Sequence, residues 1–133
     1  MTAEIEIDSP EEKKLRVEIQ KRIDPAGLRL ARFLAMPDLT RIEGNPIRQL
    51  VKRILALPDF KNFDVLKIPE IVPADVSFDL FNFPADHPAR RGSDTYFVDD
   101  KNILRTHTTV MWYYYLKEDA IKEKIKNGSP VGS

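Results

Sequence analysis

Three pairs of a helix-capping residue and a proline divide the first part of the chain and constrain its fold more than any other feature. The pairs are Ser9-Pro10, Asp24-Pro25 and Asn45-Pro46. A serine, aspartate or asparagine side chain can accept a hydrogen bond from the first turn of a helix, and proline suits the first helical position. Glu12 stands where it can complete a capping box at the first of these starts. The sequence therefore predicts one helix after each pair.

The third of these helices has the clearest amphipathic pattern. Its apolar residues recur three and four positions apart and stop before Pro58; they are Ile47, Leu50, Val51, Ile54 and Leu55. This spacing places them on one face of a helix.

After residue 60 the pattern becomes β-prone and broken by prolines. Four short segments with strand character span 63–68, 77–83, 94–98 and 102–105, and a turn at 99–101 joins the last two. From about residue 109 a helix is expected again, with Gly128 as its C-terminal cap. The order of helices, strands and a final helix predicts an α+β fold with an antiparallel sheet.

Composition narrows the class of protein further. The 133 residues suit one domain, and the 21 lysines and arginines balance the 21 aspartates and glutamates, so no bulk charge indicates a nucleic-acid partner. The absence of cysteine excludes a disulfide framework and thiol catalysis. The sequence has no secretory signal and no apolar run of about 18 residues, so we expect a cytoplasmic protein with no membrane partner.

His107 is the first candidate functional residue. It lies where a strand is expected to give way to a helix, beside Arg105, Thr106 and Thr109, whose side chains can donate hydrogen bonds. Helix N-terminal N–H groups attract carboxylates and phosphates, so this cluster could orient a small anionic or zwitterionic ligand. The alternative interpretation is structural: a threonine caps the helix and His107 is a hydrogen-bonded core side chain.

The loop that carries His87 contains two adjacent cations, Arg90 and Arg91. A guanidinium matches phosphate oxygens, which makes the pair a candidate for contact with a phosphate or a nucleic-acid backbone. The alternative is a solvated loop in which Arg90 pairs with Asp86 or Asp94. Two histidines 20 positions apart, without paired carboxylates, do not predict a metal site.

Two strings of residues in this part of the chain match a known family pattern. Residues 86–97 read Asp-His-Pro-Ala-Arg-Arg-Gly-Ser-Asp-Thr-Tyr-Phe, and residues 104–109 read Leu-Arg-Thr-His-Thr-Thr. They resemble the D-H-P-A-R-x-x-x-D-T-[FY]-[FW] and L-R-T-H-T-S segments of the phenylalanyl-tRNA synthetase alpha subunit, a class II aminoacyl-tRNA synthetase. Residues 45–57 resemble the class II motif 1 helix. The similarity covers residues 45–116.

The resemblance implies a fold and an activity. The fold is part of a class II synthetase core, an antiparallel sheet flanked by helices and preceded by N-terminal helices. We expect an N-terminal helical segment at 1–44, unlike the family's tRNA-binding coiled coil, and a partial catalytic domain at 45–133. The implied enzyme is a ligase that activates phenylalanine with ATP and transfers it to tRNA(Phe). Positioning and charge stabilisation would drive this reaction.

The resemblance also implies residue roles and partners. His107 and Thr109 match positions that hold the polar groups of the amino-acid substrate, with Thr106, Arg105 and Ser93 as further substrate-binding candidates. Thr109 replaces the commoner serine and keeps its hydroxyl, while Ser93 stands where some members carry tryptophan. The implied partners are L-phenylalanine, ATP, tRNA(Phe), a beta subunit and a second copy bound through residues 45–57.

Motif 2, the F-H-Q segment and the glycine-rich motif 3 of the family do not follow within the 133 residues. We therefore expect the front part of a synthetase core that is inactive alone and contains no catalytic residue of its own. ATP and Mg²⁺ would bind the complete enzyme and not this part alone. An incomplete sheet would leave an exposed edge and favour self-association.

Two other functions fit parts of the sequence. Phosphoseryl-tRNA synthetase has related H-P-A-R and R-x-H-x-T strings followed by a tryptophan, and Arg105, His107, Thr109 and Trp112 match these as well. A non-catalytic assembly or regulatory module derived from a synthetase would use the 45–57 helix to dimerise and would not bind amino acids.

Overall fold

The computed structural model describes residues 3–133, which contain four short strands and six α-helices. The strands are β1 (Glu4–Glu6), β2 (Val65–Lys67), β3 (Ile71–Pro73) and β4 (Asn102–Leu104). The helices are α1 (Pro10–Lys21), α2 (Pro25–Leu34), α3 (Pro46–Leu55), α4 (Ala74–Ser77), α5 (Met111–Tyr115) and α6 (Asp119–Lys126). Single 3₁₀ turns lie at Leu39–Arg41, Pro58–Phe60, Asp79–Phe81, Pro88–Arg90 and Thr108–Val110. The mixed α and β content confirms the predicted fold class.

The three predicted helix starts are confirmed. The side chain of Ser9 accepts a hydrogen bond from the Glu12 N–H at 3.1 Å, and that of Asp24 accepts from Gly27 at 3.1 Å. Asn45 accepts from Ile47 at 2.9 Å. The second half of the predicted capping box is wrong, because the Glu12 carboxylate turns instead to the backbone at the start of β3.

The chain divides into two compact units, and the first comprises residues 3–6, 36–67 and 115–133. In it β1 pairs in parallel with β2, with Ile5 opposite Leu66. The buried Tyr115 hydroxyl donates to the Asp64 carboxylate at 2.6 Å and lies 3.1 Å from the Gly132 carbonyl. This contact ties the C-terminal segment to the residue before β2.

The second unit comprises residues 7–35 and 68–114. In it β3 pairs antiparallel with β4, and Val72 lies opposite Ile103. One buried cluster consists of Val72, Val76, Phe78, Ile103 and Val110, and another of Ile19, Leu30, Ile71 and Val98. Helices α1 and α2 contribute to the second cluster, so the N-terminal helices and the β3–β4 pair share one core.

Two of the four predicted strands are confirmed and two are wrong. β2 lies within 63–68 and β4 within 102–105. Residues 77–83 instead form the end of α4 and a 3₁₀ turn, which ends at Asn82 with a φ of +59°. Residues 94–98 contribute only an isolated bridge from Phe97 to Ile103.

The C-terminal helical region is divided. The single helix expected from residue 109 is two helices, α5 and α6, which residues 116–118 separate. The predicted cap at Gly128 is confirmed: its φ is +70°, its N–H donates to the Ile125 carbonyl, and the Ser129 N–H donates to Lys124. In residues 3–133, no helix is both long and apolar enough to cross a membrane.

Candidate functional site

His107 lies between β4 and the 3₁₀ turn Thr108–Val110, where its ring is held from two directions. The imidazole stacks on Phe83 with ring centres 5.5 Å apart and planes 5° apart, and Phe81 meets its edge at 6.3 Å. The Thr106 hydroxyl oxygen lies 2.5 Å from Nδ1. These contacts fix the orientation of the ring.

The other ring nitrogen of His107 is buried and has no hydrogen-bond partner among the described residues. Buried polar atoms are paired in the great majority of cases, so each exception calls for an explanation. A Thr106 hydroxyl that donates to Nδ1 leaves the proton of the neutral ring on Nε2. In that tautomer Nε2 carries an N–H that no described residue accepts.

Arg105 donates hydrogen bonds to the backbone carbonyls of residues 68–70. Its guanidinium Nη1 donates to the carbonyls of Ile68 at 3.2 Å and Pro69 at 3.0 Å, and its own N–H donates to Glu70 at 2.7 Å. The structure therefore gives Arg105 the geometry of an anchor for the segment that leads to His107.

The three threonine and serine candidates lie at the surface. Thr109 is exposed on the 3₁₀ turn that follows His107, and Thr106 is exposed beside it. Ser93 is exposed in a different turn, in which the N–H groups of Asp94 and Thr95 donate to the Arg91 carbonyl at 3.0 Å. Ser93 and His107 thus lie in separate loops of the same unit.

The neighbouring cations Arg90 and Arg91 have different environments. Arg90 donates to the Pro84 carbonyl at 2.8 Å, to the Phe83 carbonyl and to the Asp79 carboxylate at 2.7 Å, and its guanidinium lies 5.2 Å from the centre of the Phe78 ring. Arg91 is exposed. Within the chain, Arg90 thus has a structural environment, whereas the side chain of Arg91 is exposed to solvent.

Phe83 joins the two loops that carry the histidines. Its ring lies 4.7 Å from that of His87 and 5.5 Å from that of His107. His87 Nδ1 in turn accepts the Ala89 N–H at 3.1 Å and caps the turn Pro88–Arg90. The two strings recognised in the sequence are thus neighbours in space, and the ring between them was not among the residues that the sequence singled out.

Two further groups near this segment were also missed. The Glu12 carboxylate accepts the N–H groups of Glu70 and Ile71, which lie directly beside the carbonyls that Arg105 contacts. Burial raises the pKa of Tyr114 to about 12, and the charges of Tyr113 and Glu12 act in the same direction. Tyr114 therefore remains a neutral phenol at physiological pH.

Among the described residues, no three His, Asp or Glu side chains are grouped as a metal site requires.

Comparison with known proteins identifies a family. The model of the family described as "tRNA synthetases class II core domain (F)" matches residues 33–129. Curated relatives named phenylalanine–tRNA ligase alpha subunit include those of Mycoplasmoides gallisepticum, 38% identical over 78 residues, and Geotalea uraniireducens, 32% identical over 145 residues. The first alignment covers 57% of this chain and 23% of the relative, and the second covers 92% and 40%.

The chain thus spans between about a quarter and two fifths of the length of these two relatives. The alpha subunit of Laribacter hongkongensis is 42% identical over 65 residues, which cover 49% of this chain and 20% of that relative. No solved structure matches the chain.

Proposed function

Because the chain belongs to the family of class II tRNA synthetase core domains, we propose that it is part of a phenylalanine–tRNA ligase alpha chain. In the complete enzyme this chain would activate phenylalanine with ATP and transfer it to tRNA(Phe). The names of its curated relatives support this substrate over phosphoserine. The single observation that carries the proposal is the environment of His107: Phe83 and Thr106 fix its ring, and its buried Nε2 has no hydrogen-bond partner among residues 3–133.

The proposed site is the substrate segment, residues 105–109. His107 Nε2 and the Thr109 hydroxyl would hold polar groups of phenylalanine, and Thr106 would keep the imidazole in its tautomer. Arg105 would fix the backbone of this segment, and Ser93 is a further candidate from the neighbouring loop. Such groups accelerate a reaction by orienting the substrate and need no covalent step.

ATP and Mg²⁺ are proposed for the complete enzyme only. Residues 3–133 contain no group of three His, Asp or Glu side chains that could hold a metal ion. The contribution of this chain is to bind and orient the amino acid. The exposed Arg91 is the first proposed contact for tRNA phosphates. Arg90 is the second, and it would have to break its internal contacts to bind one.

The first test is kinetic. In the complete enzyme, we expect His107→Ala to raise the phenylalanine KM or to lower activation at least about tenfold, which is about 1.4 kcal/mol. Thr108→Ala, an exposed neighbour on the same turn, is the matched control and should leave both constants unchanged. Activation kinetics of His107→Ala equal to those of the parent enzyme would remove His107 from the site. If O-phosphoserine and not L-phenylalanine protects the complete enzyme against heat, phenylalanine is not the substrate.

Helix α3 supplies the proposed contact between copies. No α3 residue is buried, and Ile47, Leu50 and Ile54 on its apolar face are 44%, 54% and 42% exposed. Apolar side chains grouped on one face are typical of an interaction surface. We propose a homo-oligomer through residues 45–57, and a beta subunit as a further partner because the relatives are named alpha subunits. The proposed compartment is the cytoplasm.

The interface is tested by charge. We expect Leu50→Asp combined with Ile54→Asp to dissociate the oligomer, because burying a carboxylate without a partner is costly. Gln49→Asp adds a charge to the same helix outside its apolar face and should leave the assembly intact. Sedimentation velocity distinguishes the species, and circular dichroism verifies that each variant is folded. A double variant that sediments as the parent oligomer would exclude α3 as the interface.

A further inference from the structure

Helix α1 directs one carboxylate into the backbone at the entry to β3. Glu12 Oε2 accepts the N–H of Glu70 at 2.5 Å and that of Ile71 at 2.8 Å, although 58 positions separate Glu12 from Glu70. The Glu12 side chain is only 16% exposed, and its other oxygen lies 3.5 Å from Arg16 Nε. A shielded carboxylate that binds two backbone donors makes strong, charge-assisted hydrogen bonds.

The same two peptide groups bind residue 105 on their other side. In the peptide between Pro69 and Glu70, the N–H donates to Glu12 and the carbonyl accepts Arg105 Nη1 at 3.0 Å. In the peptide between Glu70 and Ile71, the N–H donates to Glu12 at 2.8 Å and the carbonyl accepts the Arg105 N–H at 2.7 Å. Two consecutive peptide groups therefore connect one carboxylate to one arginine.

This arrangement couples opposite charges through polarised peptide groups. A carboxylate at the N–H strengthens the carbonyl of the same peptide as an acceptor, and a guanidinium at the carbonyl strengthens the N–H as a donor. The neighbouring pair in the β3–β4 ladder, Ile71 opposite Leu104, continues the connection to the residue before Arg105. Arg105 is two positions from His107, so the position of the substrate segment depends on these peptide groups.

We propose that Glu12 is a positioning residue for the substrate segment, acting through the peptide groups of residues 69–71 on Arg105. The proposal deepens the proposed function and rests on it where phenylalanine binding is concerned. It gives helix α1, which lies outside residues 33–129 matched by the family model, a role in substrate affinity. Arg16 supports the arrangement, because it also lies 3.5 Å from the Glu70 carboxylate.

The first test measures the coupling without any ligand. Glu12→Gln keeps an acceptor oxygen and nearly the same shape but removes the charge, and Glu12→Ala removes both. In nuclear magnetic resonance spectra of the 133-residue chain, we expect the amide protons of Glu70, Ile71 and Arg105 to move upfield in Glu12→Gln and further in Glu12→Ala. Glu18→Gln on the same helix, whose carboxylate pairs with Lys21 at the surface, is the matched control and should leave them in place.

The second test measures the consequence for the substrate. In the complete enzyme, Glu12→Ala should raise the phenylalanine KM about tenfold, within the range found for coupled neighbours, and leave the ATP KM unchanged. Glu12→Gln should give an intermediate KM, whereas a residue that only fills space would make this variant equal to the parent. In a His107→Ala background, the effect of Glu12→Ala should fall below about twofold, because both changes act on one segment.

The outcomes separate the two proposals. If the Arg105 amide resonance is unchanged in Glu12→Ala, or if the KM effect is the same with and without His107, Glu12 does not position the segment. If the parent enzyme does not activate phenylalanine, the proposed function fails, and the resonances alone then decide whether Glu12 positions residues 105–109.

Discussion

Replacing Arg90 tests whether the first of the two adjacent cations, Arg90 and Arg91, stabilises the fold or binds a phosphate. Its guanidinium makes three hydrogen bonds, to the carbonyls of Phe83 and Pro84 and to the carboxylate of Asp79, and lies over the Phe78 ring. The Arg90 side chain is 22% exposed in this arrangement. Arg90→Ala removes all of these contacts together and leaves the Phe83 carbonyl without a donor among the described residues, whereas the Pro84 carbonyl keeps the His87 N–H at 3.0 Å.

The largest part of the expected cost comes from the lost hydrogen bonds to the carbonyls, above all from that of Phe83, which loses its donor. Hydrogen bonds to a charged group contribute about 1.5–3 kcal/mol each in mutational data, and part of this is recovered when water reaches the carbonyls. The pair with Asp79, a residue whose side chain is 63% exposed, contributes under about 1 kcal/mol. The cation–π contact contributes about 0.5–2 kcal/mol. We expect a loss of about 3 kcal/mol in the free energy of unfolding and a fall in Tm of roughly 10 °C.

Urea and thermal unfolding of the 133-residue chain measure this loss, with Arg91→Ala as the matched control. The exposed Arg91 should change the free energy of unfolding by less than about 0.5 kcal/mol. Arg90→Lys should recover only part of the loss, because an ammonium cannot reproduce the planar donor geometry of the guanidinium. An Arg90→Ala variant as stable as the parent would refute the structural role. Weaker tRNA binding in Arg91→Ala, at unchanged stability, would identify Arg91 as the phosphate contact.

Two further variants test local features of the fold. Burial raises the pKa of Tyr115 from 10.0 to about 12, and the hydrogen bond to Asp64 acts in the same direction. The contribution of the Tyr115 phenol to stability is therefore complete below pH 10 and is lost as the pH rises toward 12. Tyr115→Phe should lower the free energy of unfolding by about 1–3 kcal/mol at pH 7. In urea unfolding at pH 7, 9 and 11, the variant should lose less stability than the parent as the pH rises. An equal loss in both proteins would refute this role. Gly128→Ala should cost about 1–2 kcal/mol, since its φ of +70° is unfavourable for a residue with a Cβ while no atom lies within 4 Å of the added carbon. A Tm unchanged in Gly128→Ala would contradict that estimate.

The features that the sequence predicted correctly depend on near neighbours in the chain. A cap and a proline fix a helix start within four residues, so α1, α2 and α3 begin where the pattern places them. The Gly128 cap and the turn at Asp99, whose carboxylate accepts the N–H groups of Lys101 and Asn102, are equally local. The interactions that decide these elements are contained in the pattern itself.

The two wrong strands show where local preference fails. Residues 77–83 are rich in phenylalanine, which favours strands, but Phe78 is buried in the core from the end of a helix and Asn82 adopts a φ of +59°. In residues 94–98, Thr95 is buried because its hydroxyl donates to the Ala89 carbonyl, which holds the segment in a turn. In both segments tertiary contacts override β propensity.

Family strings and residue types in the sequence were enough to name the candidate site residues, but not the groups that surround them. The strings that contain His87 and His107 meet at the Phe83 ring, and the sequence analysis did not single out that residue. The partners of Glu12 are backbone N–H groups 58 and 59 positions away. Backbone groups are the same in every sequence, so a side chain that binds them leaves no pattern to read.

Arg90 and Arg105 have the same structural role in the two loops of the candidate site: each binds two adjacent backbone carbonyls. Arg90 binds the carbonyls of Phe83 and Pro84, and Arg105 binds those of Ile68 and Pro69. In each dipeptide the proline has no N–H and restricts the residue before it, which disfavours a regular ladder. The Pro84 carbonyl still accepts the His87 N–H at 3.0 Å, and Arg90 adds a second donor to it. A guanidinium offers several donors in one plane and can serve two adjacent carbonyls at once. Arginine next to an X-Pro loop can therefore be a backbone partner, and in this chain it must be tested as one before any arginine of the site is assigned to a phosphate.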